Sequence, residues 1–437
     1  MGRRKIHPSL NVYMNNRLVG LLEKATSGAI SFQYDESWLT WDYAIPLSMS
    51  LPLQSKTYTG ASVLAVIENL LPDVDAVRRR VAERVGAEGV DAYSLLAKIG
   101  RDCVGALQFI DTDQDLPPVG QVAGEPLDED QVCRILKALK AQPLGLEEDD
   151  AFRISVAGAQ EKTALLWHNG QWMKPLGTTP TTHILKPQIG QIPTMDGVID
   201  LSNSVENEYY CLKLFSAFGL KIPHIEMHSF GDVRTLVVER FDRQWTKDGR
   251  LLRIPQEDFC QALSVPSTKK YQSHGGPTAV DILEALRGSD TPFEDQMAFF
   301  KSQILFWLIG ATDGHAKNFS IQLRSGGKFQ LTPFYDVLTA QPAVDDAQIR
   351  HNKYKLAMSV GKSKHYDIFG IRRRHFIETA KTASLSVVGV HELIEDITVN
   401  ADRCLKQLRD ELPNDFPDFI HQSVSKSMLP RLKKLQE

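Results

Sequence analysis

The 437-residue sequence is poor in cysteine, and its five cysteines (Cys103, Cys133, Cys211, Cys260 and Cys404) stand far apart. No CxxC pair occurs, so neither a zinc ribbon nor a redox dithiol is expected, and an odd, scattered set does not make a disulfide framework. No apolar run approaches the roughly 18–20 residues that span a bilayer. The start MGRRKIHPSL is basic but has no apolar stretch of a secretory signal behind it, which predicts a cytoplasmic protein. An excess of one charge is also missing. Fifty Lys and Arg against 54 Asp and Glu leave a net −4, so the surface as a whole is not a nucleic-acid footprint. The local basic runs at 3–5, 78–80, 372–374 and 431–434 read as solvated helix faces. Internal repeats are absent.

What is present is an ordinary globular composition, 42% hydrophobic and 24% charged, in a chain too long for one core. The expected division is an α/β subdomain over 1–145, a β-rich lobe over 146–245 and a helical lobe over 246–437. LNVYMNNRLVGLL reads as a hairpin turning on Asn-Asn, 63–85 as two helices interrupted at Pro72, and CVGALQFI (103–110) as a strand. The Pro- and Gly-rich passage 111–126 reads as a loop. FRISVAGAQEKTALLWHNGQWMKPL predicts strand, turn, strand and a hairpin at His168–Gly170, and THILKP (182–187) another strand. Asn203 and Glu206 have capping-box spacing at the start of a helix that stops at Gly219. RTLVVERFDR is a strand leaving this lobe. Beyond residue 255 helices are expected at 278–287, 293–309, 373–384, 391–410 and in the tail, with one exception, two strands within 319–336 joined by Ser-Gly-Gly.

Polar motifs punctuate this frame. In LIGATDGHAKNFSI (308–321) an apolar run gives way to Asp313, His315, Lys317 and Asn318. Asp and Asn five residues apart match the kinase catalytic loop, in which the Asp takes the acceptor hydroxyl proton and the Asn holds Mg²⁺; alone, the pair is equally a polar turn. Asp336, ending LTPFYD, is spaced to be a second oxygen ligand for Mg²⁺, or to cap a following helix. Around Gly158 in RISVAGAQEK, small residues would let backbone N–H groups approach phosphates, with Gln160 or Lys162 adding contacts. Lys186 closes a short strand where kinases place their phosphate-holding Lys. Glu208 lies on the apolar helix face of Val205, Leu212 and Phe215, which calls for a cationic partner such as Lys186, while Glu206 suits capping. VVERFDR offers Glu239, Arg240 and Phe241 as an adenine hinge; the plainer alternative makes Arg240 and Asp242 surface ion pairs. Small-residue hairpin, Lys, helix Glu, hinge, D-x-x-x-x-N, hairpin and Asp follow one another in kinase order.

FRISVAGAQEKTALL, PTTHILKPQIG, NEYYCL, VERFDRQW, IPQEDFCQ, LIGATDGHAKNFS and LTPFYD together resemble the HipA family, the toxins of HipBA toxin–antitoxin systems. NNRLVG, PLSMSLPL and NLLPD extend the resemblance over nearly the whole chain. It implies an α+β, two-lobed protein-kinase-like fold and a serine/threonine kinase using ATP and Mg²⁺. On this resemblance Asp313 is the catalytic base, and Asn318 and Asp336 bind the metal. Ala157, Gly158, Ala159, Gln160, Glu161, Lys162 and Lys186 contact phosphates, and Glu239, Arg240 and Phe241 hold adenine. His315, Ala316, Lys317 and Tyr335 complete the nucleotide side. Ser155 matches the serine that the family autophosphorylates; a phosphate there would add nearly two negative charges where those of ATP must sit. The resemblance further implies glutamyl-tRNA synthetase as substrate, a DNA-binding HipB antitoxin dimer as partner, and operator DNA reached through that complex. Two alternatives stand beside it. D-x-H-x-x-N is also a lipid-kinase pattern, and a kinase-shaped scaffold can serve as a non-catalytic co-repressor.

Overall fold

Asn15 and Asn16 both adopt left-handed backbone (φ 47° and 60°), the conformation a two-residue hairpin turn demands and Asn tolerates. They join strands Leu10–Met14 and Arg17–Lys24, the hairpin expected from the sequence. The computed structural model describes residues 7–111, 116–139, 160–194 and 197–437. Ser155, Ala157, Gly158, Ala159, the strand expected from Phe152 and the basic run 3–5 lie outside the described residues. The chain forms two units, each discontinuous in sequence: 1–187 with 228–268 and 320–329, and 188–227 with 269–319 and 330–437.

In the first unit an antiparallel sheet runs Tyr58–Thr59, Ile30–Tyr34, Arg17–Lys24, Leu10–Met14, Leu107–Asp111 in spatial order. Helices Ala61–Glu68 and Ala92–Ile99 cover it, and Val12, Phe32, Trp38, Leu96 and Phe109 form its core. A second sheet sets Val233–Glu239, His183–Pro187, Thr163–His168, Gln171–Pro175 and Gly124–Leu127 side by side. The strand expected over 103–110 begins only at Leu107, because Gly105 ahead of it is left-handed (φ 74°) and lies against the backbone of Gln256. The passage taken as loop up to 126 ends in the strand Gly124–Leu127.

Glu257 is buried in this unit, on strand Gln256–Asp258. Its carboxyl accepts from the Ser48 hydroxyl (2.5 Å) and the Met49 N–H (2.8 Å) of PLSMSLPL. Burial pushes its pKa up to about 8, opposed in part by those two donors and helped by neighbouring Asp258. The folded protein therefore keeps a proton that the unfolded chain releases near pH 4.3, so stability falls as pH rises from there to about 8 and is level above it. The fall amounts to about 5 kcal/mol at most, each pKa unit being worth about 1.4 kcal/mol. Glu257→Gln should flatten this slope. Urea midpoints at pH 5, 6.5 and 8 should converge on or cross those of wild type as pH rises, and parallel profiles would refute the assignment.

The second unit is mainly helical: Ser204–Ala217, Ala279–Leu286, Pro292–Ile309, Arg373–Thr382, Val387–Glu411 and Asp418–Gln436. The expected capping box at Asn203 does not form. The Asn203 side chain makes no cap bond, and Gln188 substitutes: its carbonyl accepts from the Val205 N–H (2.9 Å) and its amide donates to Glu206 (2.7 Å). Two hairpins went unforeseen, Gly190–Thr194 with Gly197–Leu201 and Lys355–Val360 with His365–Asp367. Two of the supposedly solvated basic runs each bury an arginine. In the first unit Arg78 pairs with Glu68 (2.5 Å), and here Arg431 donates to the Leu308 carbonyl (2.8 Å) and to Gln341 (2.6 Å).

Candidate active site

The helix Pro292–Ile309 is buried on all sides over its last eight residues, as a helix crossing the middle of a lobe must be. It stops at Gly310, left-handed at φ 70°, where the N–H of Ala311 returns to the Phe306 carbonyl (2.9 Å). A Cβ at Gly310 would lie 1.6 Å from the Tyr354 hydroxyl oxygen, so only glycine fits. The chain then enters the polar loop from a fixed point. Within it Gly314 to Ser320 are all buried, yet the Asp313 side chain is 60% exposed. The Asn318 amide nitrogen donates to the Asp313 carbonyl (2.7 Å), and its N–H to the His315 carbonyl (2.9 Å). The side-chain bond commits the nitrogen of Asn318, so its amide oxygen is the atom that could serve as a ligand. His315, Ala316 and Lys317 are buried within the turn, and Tyr335 donates from its hydroxyl to the Lys317 carbonyl (3.0 Å).

Asp336 lies outside regular structure. The strand before it ends at Leu331, and no helix begins until Gln341, so it neither ends a strand nor caps a helix. It is left-handed instead, at φ 59°, a conformation that Asp tolerates at some cost and that concentrates at functional sites. The segment beyond is anchored: Asn207 donates to the Thr339 carbonyl (2.8 Å) and accepts from the Thr339 N–H (2.9 Å), and Ala340 N–H donates to the Gly310 carbonyl (3.0 Å). Glu208, one residue beyond that Asn207, is buried on the apolar helix face. One amide oxygen and one carboxylate suit Mg²⁺, a hard cation that binds one or two protein oxygens and keeps the rest of its shell for water and phosphate.

The first unit carries Gln160, Glu161, Lys162, Lys186 and the hinge residues assigned to the nucleotide. Strands Thr163–His168 and His183–Pro187 are antiparallel, with Thr163 opposite Leu185. Lys162 directly precedes the first of these strands and Lys186 lies on the second, and both are buried (7% and 6% exposed). Gln160 donates to the Pro187 carbonyl (3.2 Å), and Arg80 pairs with Glu161 (3.3 Å). At the hinge strand, Arg240 and Asp242 do pair (2.7 Å), but in the interior rather than at the surface. The Arg240 main-chain N–H donates to the Thr182 carbonyl (2.8 Å). Both its side chain and its N–H are thus structural.

Two features escaped the sequence reading. Asp102, 79 residues from Thr181 and 151 from Arg253, accepts from Thr181 N–H and hydroxyl, Arg243 and Arg253, welding the start of the strand Leu107–Asp111 to the hinge. The Tyr271 hydroxyl donates a hydrogen bond to Asp313 Oδ1. No short-range pattern announces either.

Comparison with known proteins agrees with this architecture. Residues 10–110 match the HipA N-terminal domain and residues 154–405 the HipA-like C-terminal domain. A Sinorhizobium fredii protein named "Putative kinase Y4mE" is 37% identical over 81% of this chain and 81% of its own. The "Serine/threonine-protein kinase toxin HipA" of Shewanella oneidensis is 26% identical over 80% of this chain and 78% of its own. Among solved structures, a chain of the Shewanella oneidensis HipA, HipB and operator DNA complex superposes with a TM-score of 0.78, covering 97% of this chain and 96% of that one at 22% identity. The fold is α+β and kinase-like, as expected. No helix among the described residues is long and apolar enough to cross a membrane.

Proposed function

This chain belongs to the HipA family of serine/threonine kinase toxins, and we propose that it transfers the γ-phosphate of ATP to a hydroxyl of a translation component of the glutamyl-tRNA synthetase class. The observation that carries this reading is the loop 313–318, with one exposed carboxylate on an otherwise buried turn and Asn318 clamped to the same residue's carbonyl. Asp313 takes the proton of the acceptor hydroxyl as that oxygen attacks phosphorus. Lys162 and Lys186 hold phosphate oxygens, and Glu239 and Phe241 carry the adenine contacts that Arg240, committed to Thr182, does not. Asn318 and Asp336 hold Mg²⁺, which when bound spreads positive charge over the phosphoryl oxygens. Autophosphorylation of Ser155 switches the enzyme off by placing charge where ATP phosphates bind. A HipB-like antitoxin dimer neutralises the kinase and tethers it to operator DNA.

The test is incubation with labelled ATP and Mg²⁺, alone and with glutamyl-tRNA synthetase. Label should appear on the synthetase and on Ser155, and Ser155→Ala should remain active longer. Absence of transfer to either would sink the kinase reading; transfer to the protein itself alone would remove the synthetase.

A further inference from the structure

Asp313 stands on a short, exposed side chain, and such a carboxylate samples several rotamers unless something holds it. Its Oδ1 accepts a hydrogen bond from the Tyr271 hydroxyl, 42 residues upstream. Tyr271 is itself firmly placed. The Gln272 side-chain amide donates from Nε2 to the Ser359 hydroxyl (2.8 Å) and accepts at Oε1 from the Ser359 N–H (2.8 Å). The Tyr271 carbonyl accepts from the N–H groups of His274 and Gly276 (3.0 Å each), and Ala316 N–H donates to the Lys270 carbonyl (3.3 Å). A Cβ at Gly276 would fall 1.9 Å from the Lys269 carbonyl oxygen, so the tight turn requires glycine. The Tyr271 ring meets buried His315 edge-on, with centroids 4.8 Å apart at 89°, and His315 Nε2 lies 3.9 Å from the same Asp313 oxygen.

We propose that Tyr271 is a positioning residue for phosphoryl transfer. Its hydroxyl ties down Oδ1 and so aims Oδ2 of Asp313 at the acceptor hydroxyl. His315 is the wall against which the phenol ring is set. A base oriented by a third group is the arrangement that nucleophile activation generally needs, and a misaimed base loses rate steeply. The inference rests on the kinase reading. It accounts for a histidine that follows the Asp: its part is to seat Tyr271.

Tyr271→Phe keeps the ring and removes one oxygen. It should lower the rate constant for transfer about tenfold, leave the KM for ATP within twofold, and leave the thermal midpoint unchanged. In an Asp313→Ala background the same substitution should cost nothing further, since Tyr271 acts only through that carboxylate. A Tyr271→Phe rate within twofold of wild type, or above it, overturns the inference; a higher rate would mean that the phenol blocks the acceptor. If wild type transfers no label at all, the kinase reading fails and takes this inference with it. Wild-type transfer with an unaffected Tyr271→Phe variant condemns the inference alone.

Discussion

Asp313→Ala is expected to lower kcat for phosphoryl transfer about a thousandfold while changing the KM for ATP less than threefold. General-base catalysis is worth about 10²–10⁴ in rate, and the substitution removes the proton acceptor without touching the lysines assigned to the phosphates. Equal losses in kcat and kcat/KM are the signature of an interaction made only in the transition state. The fold should tolerate the change. The side chain is 60% exposed, and exposed substitutions usually stay within about 0.5 kcal/mol. Asn318 receives its anchor from the Asp313 main-chain carbonyl, which alanine retains. The measurement is steady-state transfer with purified variant beside a thermal melt. Retention of more than a tenth of wild-type kcat would remove Asp313 from the role of base, and a large drop in melting temperature would make the activity loss uninformative about chemistry.

Local signals make much of this architecture readable in the sequence. Asn15-Asn16, the strand His183–Pro187 that carries Lys186, the helix expected over 293–309 and the D-x-x-x-x-N loop all follow from residues within a few positions of one another. In each case one local constraint dominates: left-handed backbone, alternation of apolar residues, or a helix stop. What was not readable depends on partners far apart in sequence. The plainer alternative put Arg240 and Asp242 at the surface, because nothing local reports that distant Asp102 joins them in the interior. The Asn203 cap failed because Gln188, from a neighbouring turn, competes for the same N–H groups. Tyr271 carries no motif, and its meaning appears only when its turn folds against the loop of Asp313.

Asp102→Ala should be the most damaging single substitution for stability, at about 3–5 kcal/mol, the range found when one member of a buried ion pair is removed. Five charged side chains, Asp102, Asp242, Arg240, Arg243 and Arg253, are packed together almost without solvent contact. Burial alone would raise the Asp102 pKa, but the guanidinium groups of Arg243, Arg253 and Arg240 and the Thr181 hydroxyl overcome it and hold the carboxyl well below the usual carboxylate range. Three arginines and two aspartates leave the cluster at +1; alanine would leave it at +2, with Arg253 stripped of its buried carboxylate (2.9 Å). Against a typical total stability of about 5–15 kcal/mol, a loss of this size removes a large fraction. The damage should extend beyond the cluster, because the same carboxylate holds Thr181, the Thr182 carbonyl next to it receives the Arg240 N–H, and Glu239 and Phe241, proposed for adenine, flank that residue. Asp102→Asn keeps the shape and loses the charge, so it should fall between wild type and alanine in urea midpoint. Its folded-state pKa also fixes the acid behaviour. A depressed carboxyl contributes stability above its unfolded pKa near 4, and loses it as pH falls below that value. Wild type should therefore lose its advantage over Asp102→Asn as pH drops from 5 toward 3. An alanine variant with a wild-type urea midpoint would show that the arginines find other partners, and the cluster would then be no keystone.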